Sequence, residues 1–232
     1  MKTLRWTLTA LLGPAMLASL YMDFIYSPPE AKMGNVVRIL YFHVASAVDA
    51  FTGFGVCALL ALVYLLTRRL FWERLAAASA LVGLVFTTLV LISGSLWGAA
   101  VWNTWWTWDP TLTTTLILWF LYVGYMLLRA SIADRRRSAT VASVYGVVAA
   151  LDVPLIHESA KWWSGLHPSV ITDAGFNMPP SMTVTLLASF AVFLGVYALL
   201  FWMAARLAED GARVAELRER LRLHLARAEG GR

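Results

Sequence analysis

The chain has 232 residues, of which 59% are hydrophobic and only 14% charged. Soluble globular domains carry about 25% charged and about 45–50% apolar residues, so the composition excludes an ordinary soluble enzyme, a disordered chain and a disulfide scaffold; the single cysteine, Cys57, has no internal partner. The net charge of +5 raises nucleic acid as a partner, but the placement of the arginines argues for a lipid bilayer and no nucleic acid.

A membrane-crossing helix needs about 20 mostly apolar residues, because the hydrocarbon layer is about 30 Å thick. Six stretches qualify: Trp6 to about Tyr26, about Ile39 to Thr67, Leu75 to about Ser93, Pro110 to Leu128, Ala139 to about His157, and about Met182 to Ala205. The first exceeds the apolar core of a signal peptide and lacks a clear A-x-A site, so it reads as an uncleaved anchor. Little period-2 alternation competes. The predicted fold is an all-α integral membrane protein, a six-helix bundle with a Trp-rich interfacial loop or helix on its outer face. Pro154 should kink or interrupt the fifth span.

The connections set the orientation. Sixteen of the nineteen Lys and Arg residues fall at the termini and in the second and fourth connections, and only Lys32, Arg38 and Lys161 fall on the other side. Basic loops face the cytoplasm, which puts both termini inside and the Trp-rich loops outside. Residues 1–205 form the transmembrane unit, and 206–232 a cytoplasmic tail. In that tail Val214, Leu217, Leu221 and Leu225 recur at helical spacing among Arg and Glu. It can lie on an anionic leaflet, pair with a partner helix, or simply end the chain in solvent.

Ionisable residues in spans are costly and mark function. Counting inward from the basic anchors puts Asp23, His43, Asp49, Asp152 and His157 at one depth near the outer face, with none in the inner half of a span. This argues against a transmembrane ion path and for one shared polar site at the outer surface.

The third connection, residues 94–110, holds Trp97, Trp102, Trp105, Trp106 and Trp108 without a charge until Asp109. Trp102, Trp105 and Trp106 are spaced to share one face of a helix. An aromatic belt spreads its Trp over many helix ends; here five share one loop, and Trp162 and Trp163 lie in the next outer one. Indole rings offer broad apolar surfaces with one donor each, which suits a large flat ligand such as a porphyrin. Neutral histidine is a common axial ligand of its iron, and His43, His157 and His167 are the outer candidates. Without a C-x-x-C-H motif the chain does not attach haem to itself. Propionates want cations, and Arg38, on the approach to His43, is the strongest. Asp109 before Pro110 reads as a helix N-cap.

Trp97-Gly98, Trp102, Trp105-Trp106 and Trp108-Asp109 resemble the tryptophan-rich WWD motif of haem-handling proteins. Over most of the six spans the chain resembles the cytochrome c maturation protein C (CcmC) family. Tyr41-Phe42-His43-Val44 is similar to the family's first outer histidine segment. Ile156-His157-Glu158-Ser159, Trp162-Trp163 and Leu166-His167 are similar to its second. The resemblance implies that His43 and His167 ligate the iron of haem b, which the WWD loop holds between them. It implies a haem-delivery role without catalysis, at the outer face of the cytoplasmic (inner) membrane. The haem passes to a membrane-anchored periplasmic haem chaperone, beside subunits of an ABC-type transporter. A haem permease, a WWD-type haem lyase and a b-type cytochrome are the competing readings. Two positions depart from the pattern. Asn103 stands where Gly is common, and Thr111 where a base is expected, which leaves more of the propionate contact to Arg38.

Overall fold

The computed structural model describes residues 2–162, 171–172 and 175–230. Helix α1 (Lys2–Tyr21) runs on through a π-helical turn at Met22–Tyr26, and a 3₁₀ turn at Asn35–Val37 leads into α2 (Arg38–Thr67). Then follow α3 (Leu70–Trp102), α4 (Pro110–Ser131), α5 (Arg135–Ala149) and α6 (Asp152–Trp162). Two short strands, β1 (Ile171–Thr172) and β2 (Gly175–Phe176), pair antiparallel before α7 (Pro180–Gly230). Among the described residues six helical stretches are long and apolar enough to cross a membrane. The α5–α6 pair makes up the fifth of them, Arg135–Ser159.

Pro154 explains that division. The chain breaks at Ala150 and Leu151, and α6 restarts at Asp152. Pro154 thereby falls in the first turn of α6, where a missing N–H costs nothing, and its ring meets no helical carbonyl four residues back.

Three boundaries differ from the sequence reading. Expected to end near Ser93, α3 continues to Trp102, so the first half of the Trp-rich segment is helical. The segment with Trp102, Trp105 and Trp106, open between loop and helix in the sequence reading, is helical only as far as Trp102. Asn103 stops α3 in the left-handed conformation with φ +54°, and its N–H bonds back to the Gly98 carbonyl. Asp109 must be extended to precede Pro110, so residues 103–109 are spent in crossing from one helix end to the next. The third difference is α7. It does not break near Ala205 but runs unbroken for 51 residues, roughly 75 Å at 1.5 Å per residue.

The closest helix crossing is that of α2 on α3. A Cβ on Gly53 would lie 2.7 Å from the Gly83 Cα, and one on Gly83 would lie 2.9 Å from the Phe54 ring. Small residues allow such contact between membrane helices, where packing replaces the hydrophobic drive. Ser79 Oγ donates to the Gly53 carbonyl at 2.6 Å, so its lone pairs are left to accept from Tyr197 Oη at 2.9 Å. That contact ties α7 to the same crossing. Beside it the Phe54 and Tyr122 rings stack at 3.7 Å, against buried Cys57, Leu118 and Tyr125. A Gly53→Ala substitution is expected to force the two backbones apart and cost about 1–3 kcal/mol, the usual range for overpacking. Thermal unfolding in detergent would check this, and an unchanged midpoint would show that the crossing is looser.

The connection between the first and second spans is organised by Glu30, whose Oε2 accepts from the amides of Lys32 (2.8 Å) and Met33 (2.7 Å). Those two hydrogen bonds hold its carboxyl below the usual glutamate range. A depressed folded value means that the turn is fully supported above that range. The support fades as pH falls through the lowered value. A carboxyl titration followed by NMR should give Glu30 a midpoint below that of ordinary glutamates; an ordinary midpoint would mean the turn is not formed in solution.

Candidate functional site

His43 lies on the second turn of α2, and Ser93 and Gly94 lie opposite it on α3. A side chain at residue 94 would crowd the imidazole: a Cβ there would lie 3.1 Å from His43 Cε1. The ring is 7% exposed. Its Nδ1 is 2.9 Å from Ser93 Oγ. The serine has one proton, which it gives to the Leu89 carbonyl at 2.6 Å. It can therefore only accept from the imidazole. Nδ1 carries the hydrogen, and Nε2 is the nitrogen with the lone pair. That is the tautomer a metal-ligating histidine needs, fixed by a partner on the other nitrogen. The sequence reading missed Ser93. A lone serine in an apolar span carries no signal, and its partner is fifty residues away.

The five WWD tryptophans divide into layers. Trp97 is 3% exposed and packs with Val37 of the 3₁₀ turn, Leu40 and Tyr41 of α2 and Met182 and Leu186 of α7. Its ring meets His43 edge-on at 5.6 Å and Trp102 at 6.1 Å. Trp106 is partly buried and lies edge-on to Trp108 at 5.7 Å. Trp105 and Trp108 are 66% and 75% exposed and form the outward surface. The indole N–H groups of Trp97 and Trp106 are buried without an acceptor among the described residues. Cavities of about 20 and 30 Å³ lie under this segment, the second lined by His43, Gly94, Trp106 and Thr111. Each holds about one water.

Asp109 is the N-cap of α4. Its Oδ1 accepts from the Leu112 amide at 3.1 Å, while Oδ2 accepts from Thr107 Oγ1 at 2.8 Å. One carboxylate thus fixes both the helix start and the end of the Trp segment. The Asn103 departure has a backbone reason, since asparagine and glycine are the residues that take this left-handed C-cap. Thr111 faces α6, with its hydroxyl 3.4 Å from that of Ser159.

The Arg38 guanidinium sits 5.9 Å from the Phe24 ring centroid, on a different face of α2 from His43, and its Nε is buried without a partner. Asp23 accepts from Ser189 Oγ at 3.0 Å, joining α1 to α7. Asp49 is fully buried with both oxygens unbonded, Asp152 is buried on α6, and His157 on α6 is exposed. Among the described residues Asp23 and His43 bond to different partners, Ser189 and Ser93, and no group of three His, Cys, Asp or Glu side chains gathers. His167 and Trp163 lie outside the described residues.

At the opposite end, α3 and α4 are joined by an ion pair between residues 56 apart in the chain. Arg129 Nε and Nη2 both donate to the buried carboxylate of Glu73.

Comparison with known proteins adds a family. The family model described as "Heme exporter protein C" matches residues 1–219. The chain is 35% identical over 183 residues to a protein of that name from Escherichia coli K12, covering 79% of this chain and 74% of that protein. Its identity to one from Bradyrhizobium diazoefficiens is also 35%, over 182 residues, 78% of this chain and 69% of that one. A "Putative cytochrome c biosynthesis ccmC-like mitochondrial protein" of Marchantia polymorpha is 30% identical over 202 residues, 87% of this chain and 83% of that one.

Proposed function

This chain belongs to the heme exporter protein C (CcmC) family, and from that premise we propose that it binds haem at the tryptophan-bearing end of its bundle and hands it on. Its role is the handling of haem for cytochrome c maturation, as a multi-pass membrane protein. The observation that carries the binding reading is the Ser93–His43 contact, which presents Nε2 as the nucleophilic nitrogen beside the Trp segment.

In this reading His43 and His167 are the axial ligands of haem b. The exposed rings of Trp105 and Trp108 meet the porphyrin face, with Trp97, Trp102 and Trp106 supporting them. His43 is buried and shares a small cavity with Trp106, and in this reading the 103–109 segment shifts on binding. Asp109 anchors one end of that segment. The unpaired indole N–H groups of Trp97 and Trp106 are donors awaiting an acceptor, and a propionate is one. Arg38 reaches a propionate only at the rim of the site. The Arg and Lys distribution supports termini in the cytoplasm and the haem site outside the inner membrane. From there haem passes to a membrane-anchored periplasmic chaperone, with ABC-type transporter subunits in the same complex. A site at one surface, with no catalytic group required, suits delivery and not catalysis.

The full-length protein in detergent, titrated with hemin, should develop a Soret band that saturates near one haem per chain. No Soret band after hemin addition would end this reading.

A further inference from the structure

At the end of the bundle away from the tryptophans, a cavity of about 250 Å³ opens between α3, α4, α5 and α7. Its floor holds the Glu73–Arg129 pair, in which the one carboxylate is already neutralised by a two-pronged guanidinium contact. Two more guanidinium groups line the same space. Arg74 has its Nε buried without a hydrogen-bond partner, and Arg135 makes no side-chain hydrogen bond or ion pair among the described residues. Among the described residues the cavity therefore holds two guanidinium groups that no carboxylate hydrogen-bonds. Leu70, Ile132 and Ala208 supply apolar wall.

The cavity continues into a wider recess that adds Arg213, Glu209, Glu216 and Glu219. Arg213 pairs with Glu209 at 3.1 Å, and Arg220 pairs with Glu216 at 2.5 Å. Arg74 and Arg135 line both spaces, and two of the three glutamates of the recess are already paired with arginines of α7. A single phosphate would be accepted inside, where guanidinium forks match phosphate oxygens. Basic pockets between membrane helices suit lipid head groups in this way.

We propose that this cavity binds one phosphate group, held by Arg74 and Arg135, and that its apolar wall fits it to a phospholipid head group. The site is independent of the haem reading and lies at the other end of the molecule.

The test uses the full-length protein in a non-ionic detergent, with inorganic phosphate as one probe and dioleoyl phosphatidylglycerol as the other. Phosphate is read by thermal shift and the lipid by native mass spectrometry. The wild type is compared with Arg74→Gln/Arg135→Gln, with Ala212→Leu, which fills the cavity and keeps its charges, and with the tail variant Arg220→Gln. Both cavity variants should lose binding at least tenfold, and Arg220→Gln should keep it. Lipid retention, with or without phosphate, identifies a head-group site; phosphate alone identifies a free-anion site. Binding of neither probe to the wild type overturns the proposal. So does equal binding by the wild type and Ala212→Leu, which stands even if the double Arg variant fails to fold.

Discussion

Replacing His43 with alanine is expected to weaken haem binding at least a hundredfold and to change the Soret maximum. In the proposed reading the chain loses an iron ligand, while the haem-free fold loses a buried ring that bonds to Ser93 and packs on Trp97. Ser93→Ala gives the sharper test. The imidazole remains, but nothing holds the hydrogen on Nδ1, so both tautomers and several ring orientations become open. Loss of such an orienting partner costs about 10–100-fold in metal affinity. Hemin titrations of the two variants should therefore rank wild type, Ser93→Ala and His43→Ala in that order. If Ser93→Ala matches the wild type, the hydrogen bond does not set the ligand. If His43→Ala keeps both affinity and spectrum, His43 is not a ligand.

The second large effect lies at the other end of the bundle. Glu73→Ala removes the carboxylate that takes two bonds from Arg129. Breaking a buried pair from one side costs about 3–5 kcal/mol, because the other charge is left without compensation. The Arg129 side chain is 35% exposed, against 6% for Glu73, so water recovers part of that cost and about 2–3 kcal/mol is expected. Removing both, as Glu73→Ala/Arg129→Leu, should restore much of the loss, since no buried charge remains. A chemical denaturation series on the two single variants and the double would decide this. Additive losses would show that the two side chains act independently.

Much of the architecture was legible because membrane physics leaves few options. Span length, the basic anchors and Pro154 all act on the local chain, and Asp109-Pro110 announces its own cap. What stayed hidden falls into two kinds. Boundaries were lost where apolar content and helicity part company. Gly94 to Val101 is neutral and small enough to read as a loop yet extends α3, and the charged residues after Ala205 look like a new segment yet extend α7. Contacts were lost where the partners are far apart in sequence and chemically ordinary: Ser93 with His43, Glu73 with Arg129, Gly53 against Gly83. Five tryptophans in a row of seventeen residues announced a surface, but which of them face outward depends on how Asn103 turns the chain.

That α7 is a single unbroken helix has a mechanical consequence. Ser189 is bonded to Asp23 near one end, Tyr197 to Ser79 in the middle, and Ala208 and Ala212 line the arginine cavity further on. Residues 197 to 230 alone form an arm of roughly 50 Å. A rod so held pivots as a whole: a tilt of about 10° at Tyr197 would sweep its far tip through roughly 9 Å, by the same rise per residue. Leu217 and Leu221 therefore take their position from packing decided within the bilayer, several turns away from where they stand.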